Sequence, residues 1–112
     1  MPDLSSDANV VGLTFSGPAT IANSQAIHTR LLAALGSGSN IDVECSGVTE
    51  TDVSFAQLLL AAHRSSQGRR QRLTLRSPVG AAMRDMLLRA GLIGNAPRGA
   101  DGDEAFWRGG LA

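Results

Sequence analysis

The stretch GVTETDVSFAQLLLAA, residues 47–62, contains the junction that decides the fold. Its first half is a polar loop that carries the carboxylates Glu50 and Asp52. Its second half has apolar residues at helical spacing, which predicts a helix over Phe55–Gln67 that ends at Gly68. Ser54 is predicted to cap this helix, and Asp52 is stabilising there because negative charge suits a helix N-terminus. A loop that turns into an amphipathic helix is typical of an α/β unit.

Strands are predicted on both sides of this junction. Before it, Ile41–Cys45 alternates apolar and acidic residues, which indicates a strand with one apolar face. After it, Arg69–Arg72 forms a basic turn and Leu73–Leu75 continues as a strand. The run Arg69, Arg70 and Arg72 is interpreted as a solvated turn, with contact to an anion or an acidic partner as the alternative.

The outer segments repeat this alternation. Val10–Phe15 is β-branched and apolar, which predicts a strand, and the SGP at residues 16–18 predicts a turn. A helix is predicted over Asn23–Leu35, capped by Asn23 or Ser24 and ended by Gly36. A third helix is predicted to have Pro78 in its first turn and to end at Gly91.

The order β, α, β, α, β, α predicts an α/β fold: a small, mainly parallel or mixed sheet with alternating helices. The domain is predicted to cover residues 1–96, and residues 97–112 are predicted to form a partly flexible tail that only Phe106 and Trp107 can anchor. A further edge strand, in the N-terminal dozen residues or near Phe106, is left open.

Composition excludes several classes of protein. Apolar residues make up 43% and charged residues 18% of the 112 residues, as in an ordinary globular protein. Ten arginines, with no lysine, balance ten carboxylates, so a strongly basic nucleic-acid binder is not expected. One cysteine, no visible secretory signal and no apolar run of about 20 residues predict a cytoplasmic protein that does not insert into a membrane.

No complete catalytic, metal or cofactor site is predicted. The phosphate-binding patterns GxGxxG and Walker A are absent, and Gly36–Gly38 follows a helix instead of preceding one. His28 and His63 have no further ligands at metal spacing and are interpreted as partly exposed helix residues. Cys45 lies on the apolar face of a strand and is interpreted as a small buried hydrophobe. A small enzyme that uses Asp52 remains an alternative, although the sequence offers no base, metal set or nucleotide loop to complete it.

The segment 47–62 resembles the signature of STAS (anti-sigma-factor antagonist) domains, in which a strand ends in a loop with Asp, then one or two hydroxyl residues, then a helix. VVGLTFSGPATIANSQAI (residues 10–27) and RLTLRSPVGAAMRDMLLRAGL (residues 72–92) resemble the other parts of that family in order and spacing. The resemblance implies a non-catalytic, protein-binding module with no cofactor. Its implied partners are an anti-sigma or switch kinase or, as the alternative, an ABC-type ATPase of a lipid-transport complex. The oligomeric state stays open.

The resemblance also implies a docking surface at the loop and the following helix, with departures in this chain. The implied contact residues are Asp52, Val53, Ser54, Phe55 and Gln57. In regulatory members the residue directly after the Asp is a phosphorylated hydroxyl, and here it is Val53. Ser54 is therefore a displaced phosphate acceptor, an N-cap, or part of a module without a phosphoswitch, and the cap is the favoured interpretation. Phe55 is expected to be partly exposed as an apolar contact for the partner.

Overall fold

A computed structural model describes residues 10–93 and 102–111. Three strands are described: β1 (Val10–Ala19), β2 (Asn40–Thr51) and β3 (Leu73–Leu75). Four α-helices are described: α1 (Ser24–Gly36), α2 (Val53–Gly68), α3 (Ala81–Arg89) and α4 (Gly102–Gly109). A short 3-10 helix, Ile21–Asn23, precedes α1. The predicted alternation of strands and helices is confirmed.

The strands form one parallel sheet in the order β1-β2-β3, so the predicted α/β class with a mainly parallel sheet is confirmed. β1 and β2 pair along almost their whole length, from Val10 opposite Asn40 to Ala19 opposite Thr51. β3 pairs only with the first part of β2, from Ile41 opposite Leu73 to Val43 opposite Leu75. The long β1–β2 pair therefore extends beyond β3 at the carboxyl end of the sheet.

One face of the sheet is apolar and supports the core. Alternate strand residues point to this face and are buried, as the period of two requires. In β1 these are Leu13 and Phe15, in β2 they are Ile41, Val43 and Cys45, and in β3 they are Leu73 and Leu75. The helices complete the core mainly with Ile27, Leu31, Leu35, Phe55, Leu59, Met83, Met86 and Leu87.

Both long strands extend past the ends that the sequence predicts. The predicted turn at residues 16–18 is wrong, because Ser16, Gly17 and Pro18 still pair with β2 across two irregularities in the register. Likewise β2 continues beyond Cys45 to Thr51. Pro18 is tolerated because β1 is an edge strand of the described sheet, and proline is confined to such strands. Pairing between distant segments thus overrides the local turn signal.

The third predicted helix begins later than expected. Pro78 is not in its first turn, since α3 begins at Ala81 and Gly80 precedes it with φ of 90°. A side chain at Gly80 would bring its Cβ to 3.0 Å from the Ser46 carbonyl oxygen. Glycine is therefore needed both for the positive φ and for the close approach to β2. The predicted end is confirmed, since Gly91 follows the helix with φ of 74°.

The C-terminal part of the chain contains a helix that the sequence did not predict. The alternative of a strand near Phe106 is wrong, because α4 includes this residue and Trp107, and both are buried. The Phe106 ring stacks on His63 with a centroid distance of 4.4 Å, and the Gly110 carbonyl accepts a hydrogen bond from the Val79 amide at 3.0 Å.

Two predictions fall partly outside the described residues. The other possible edge strand falls mostly within residues 1–9, and the predicted tail includes residues 97–101 and 112. The division at residue 96 stays a prediction.

Within residues 10–93 and 102–111, no helix has the length and apolar character that crossing a membrane requires.

Two residues in the first turn of α2 test the packing. Phe55 is fully buried against Phe15, with the ring centroids 5.4 Å apart, whereas Val53 is exposed. We expect Phe55→Ala to lower the free energy of unfolding by about 3–5 kcal/mol, because it removes core contacts and leaves a cavity. Val53→Ala is expected to change it by less than about 0.5 kcal/mol. Urea denaturation followed by Trp107 fluorescence measures both, and similar losses for the two variants would contradict this packing.

Candidate functional site

The predicted contact residues lie at a corner where β1 and β2 both end. Because the two strands are parallel and Ala19 is opposite Thr51, the segments that leave them, at Ile21 and Asp52, are neighbours. Each strand is followed at once by a helix, so two helix N-termini meet here. We call Thr20, Ile21 and Asp52–Ser54 the corner.

The Asp52 carboxylate joins the two halves of the corner. Its Oδ2 accepts a hydrogen bond from the Ile21 amide at 3.0 Å, and its Oδ1 accepts one from the Ser54 amide at 3.0 Å. The Ser54 hydroxyl also donates to Oδ1. Asp52 is therefore the N-cap of α2, and the prediction that Ser54 caps the helix is wrong. Asp52 occupies the N-cap position because α2 begins at Val53, two residues earlier than the sequence pattern indicated.

These hydrogen bonds lower the pKa of the Asp52 carboxyl below its ordinary value. The Ser54 hydroxyl has the largest effect and the Ile21 amide the next, both by donating to the charged form. Partial burial acts in the opposite direction and is outweighed. At neutral pH the corner therefore holds a fixed negative charge whose two oxygens are both engaged by the chain itself.

The other predicted contact residues are divided between surface and core. Val53 is 47% exposed and Gln57 is exposed, whereas Ser54 is half-buried. Phe55 is 0% exposed, so the expectation that it offers an apolar contact to a partner is wrong. With the helix beginning at Val53, Phe55 falls on the inward face and Val53 on the outward one.

Ile21 is an exposed residue of the corner that the sequence analysis did not single out. It is the most exposed large apolar residue of the described chain, at 66%, and its amide is bound to Asp52. The neighbouring Thr20 and Asn23 form a capping box around it, with the Thr20 amide and hydroxyl both 3.2 Å from Asn23 Oδ1. The only signal in the sequence is an isolated isoleucine between Thr20 and Ala22, which no periodicity marks as exposed.

An open groove of about 470 Å³ continues from the corner between the start of α2 and one side of α3. Its apolar surface comes from Val53, Ala82, Met86 and Ala90. Glu50, Asp52 and Asp85 line it with carboxylates, and Arg89 pairs with Asp85 at 2.8 Å. The contribution of α3 could not be read from segment 47–62, because it depends on how a distant helix packs.

The remaining sequence candidates lie elsewhere. His28 is exposed on α1 and His63 is half-buried on α2, as predicted. In the described ranges, no three His, Cys, Asp or Glu side chains converge in a way that could hold a metal ion. Cys45 is buried, as predicted. Burial, and then the neighbouring Glu44, raise its pKa to about 12, which keeps it a neutral thiol.

A model of a known protein family matches most of the chain. The family model described as "Mlab, STAS domain" matches residues 3–94, which is more than four fifths of the chain. No curated protein matches the chain significantly. The matched region includes the whole corner and the helix α3 that borders the groove.

The lowered pKa of Asp52 predicts how its contribution to the free energy of unfolding changes with pH. A carboxyl whose pKa is lower in the folded state stabilises the fold fully above its unfolded pKa of about 4, and this contribution is lost as pH falls through the folded pKa. We expect Asp52→Ala to lower the free energy of unfolding at pH 7 by about 1–2 kcal/mol. The difference from the original protein should shrink as the pH falls below about 4.

Asp52→Asn is the matched variant. Asparagine keeps an acceptor for the Ser54 amide but places an NH2 group where the Ile21 amide needs an acceptor, so an intermediate loss is expected. Urea denaturation across this pH range measures all three proteins. A loss for Asp52→Ala that stays constant down to pH of about 2 would contradict the role of the ionised carboxylate.

Proposed function

Because this chain belongs to the STAS family, whose domains are regulatory or protein-interaction modules and are generally non-catalytic, we propose that it docks a partner protein through the corner. The observation that carries this proposal is the pair of exposed branched side chains beside Asp52, Ile21 at 66% and Val53 at 47%. Exposed apolar residues at the edge of a groove are typical of protein contacts. The proposed contact surface comprises these two residues, Asp52, Ser54 and the exposed Gln57.

Rigidity of the corner supports docking. Asp52 fixes the Ile21 amide and the Ser54 amide by hydrogen bonds of 3.0 Å, so the backbone that carries both apolar side chains is held before any partner arrives. A surface that is already ordered loses less conformational entropy on binding, which leaves more of the contact energy as affinity.

The proposed docking needs no phosphate. Val53 occupies the position directly after Asp52 and has no hydroxyl to accept one. Ser54 has a hydroxyl, but it is half-buried and donates to the Asp52 carboxylate. Phosphorylation of Ser54 would remove that donor and place about two negative charges beside the carboxylate. The hydrogen bond therefore favours the structural role of Ser54 over the role of acceptor.

The proposed partner is a cytoplasmic anti-sigma or switch kinase, the class implied by the resemblance to anti-sigma-factor antagonists. The second candidate function is that of a non-catalytic subunit of an ABC-type ATPase complex for lipid transport. The exposed Val53 favours this second function, because an apolar side chain in place of the acceptor suits permanent assembly better than a phosphate-controlled one.

Photocrosslinking identifies the partner and distinguishes the two classes. A photoreactive amino acid is placed at residue 53 in the protein expressed in its native host, and crosslinked proteins are identified by mass spectrometry. The same amino acid at Leu32, which is 51% exposed on α1, is the control position. We expect residue 53 to crosslink to an ATPase and Leu32 not to, and the fold of that ATPase decides between a kinase and an ABC protein.

Affinity for the identified partner then tests the surface. We expect Val53→Asp to weaken binding by about tenfold or more, because it places a charge in an apolar contact next to Asp52. Leu32→Asp introduces the same charge at a similarly exposed site and should leave the dissociation constant unchanged. Calorimetric titration measures both, and equal affinities for the original protein and Val53→Asp would exclude the corner as the docking site.

A further inference from the structure

A second charged surface lies at the opposite end of the sheet. Residues 69–72, which we call the basic loop, read RRQR and connect α2 to β3. The loop lies at the amino end of the strands, beside the start of β2, whereas the corner follows the end of β2. At about 3.3 Å per residue, the length of β2 separates the two surfaces by roughly 35 Å.

The basic loop is held in place by its own backbone and by Gln71. The Gln71 amide donates to the Ser66 carbonyl at 2.9 Å, and the Gln71 side-chain Nε2 donates to the Ser39 carbonyl at 2.6 Å. The Arg72 amide donates to Asn40 Oδ1 at 2.9 Å. The arginines on either side of Gln71 are thus displayed from a fixed backbone.

Arg70 occupies a backbone conformation that usually belongs to glycine. Its φ is 59°, in the left-handed region, which costs free energy for a residue with a Cβ. A glycine is present nearby, but it is Gly68, the last residue of α2. The chain therefore has an arginine where glycine would be more stable, and this outlier points to a use for the side chain.

The arginines of the basic loop carry uncompensated positive charge. All three are exposed, and Arg69 donates to the Leu35 carbonyl at 3.2 Å. Among the described residues, Arg70 and Arg72 have no ion-pair partner. The two chain segments that meet here, residues 33–41 and 64–74, contain no aspartate or glutamate.

A groove lies beside the loop. It has a volume of about 480 Å³, and α2, β3 and α4 line it together with Gln71 and Arg72. The groove gives room for the backbone of an extended chain next to the exposed arginines.

We propose that the basic loop and this groove bind an acidic peptide segment of a partner protein. Its carboxylates pair with Arg70 and Arg72, and its backbone lies along the groove. A nucleic acid is disfavoured because the chain has no net positive charge. The large exposed apolar residues of the described chain all lie outside the loop, which disfavours insertion into a lipid surface: Val10, Ile21, Leu32, Val53 and Leu88.

Fluorescence anisotropy with a labelled peptide of alternating Glu and Gly residues tests the proposal. At an ionic strength of about 0.01 M, where charges act over about 30 Å, we expect saturable binding. The double variant Arg70→Gly, Arg72→Gln should bind roughly fivefold or more weakly, because two ion pairs are lost. Arg84→Gln, which removes one exposed arginine of α3, is the control for a positive charge outside the loop and should bind as the original protein does.

Folding does not confound this test. Glycine suits the positive φ of residue 70, so the melting temperature of the double variant should equal or exceed that of the original protein. Val53→Asp at the corner should leave affinity for the peptide unchanged. Failure of this proposal is therefore distinguishable from failure of the proposed function.

The proposal is overturned if the double variant binds like the original protein, if Arg84→Gln weakens binding equally, or if phosphatidylglycerol vesicles bind more tightly than the peptide.

Discussion

The carboxylate of Asp52 links elements that the chain order keeps far apart. Its two oxygens accept from Ile21 and from Ser54, residues that follow different strands. This bridge sets how the helix after β1 and the helix after β2 leave the same edge of the sheet. The position of every exposed side chain at the corner depends on it, because a backbone free to move there would display Ile21 and Val53 in many arrangements.

The carboxylate has this role because parallel strands bring two helix N-termini together. Each N-terminus has amide groups without partners inside its own helix, and negative charge is favourable beside both. One aspartate therefore satisfies donors from both sides. A serine at the same position has a single oxygen and no negative charge, so it could not replace the carboxylate. The hydroxyl of Ser54 strengthens the arrangement but does not replace it.

Much of the fold could be predicted because its signals are local. The alternation in Ile41–Cys45 corresponds to part of β2, and the helical spacing after Phe55 corresponds to α2. The order of the elements follows from such local patterns. The ends of β1 and β2 could not be predicted, since the strands are prolonged by pairing with each other. Phe55 was misplaced because the prediction made it the exposed first residue of the helix. It lies four residues before the buried Leu59, on the same helix face, and its ring packs against Phe15. Ile21 and the groove beside α3 depend on tertiary packing, for which residues 47–62 contain no signal.

The single thiol of Cys45 has a practical consequence. It is fully buried on the central strand, and burial raises its pKa to about 12, so the thiol is unreactive as long as it stays buried. An alkylating reagent reaches it only when β2 parts from the helices that cover it. The rate of alkylation therefore reports the opening of the core around β2, and the measurement needs no added label.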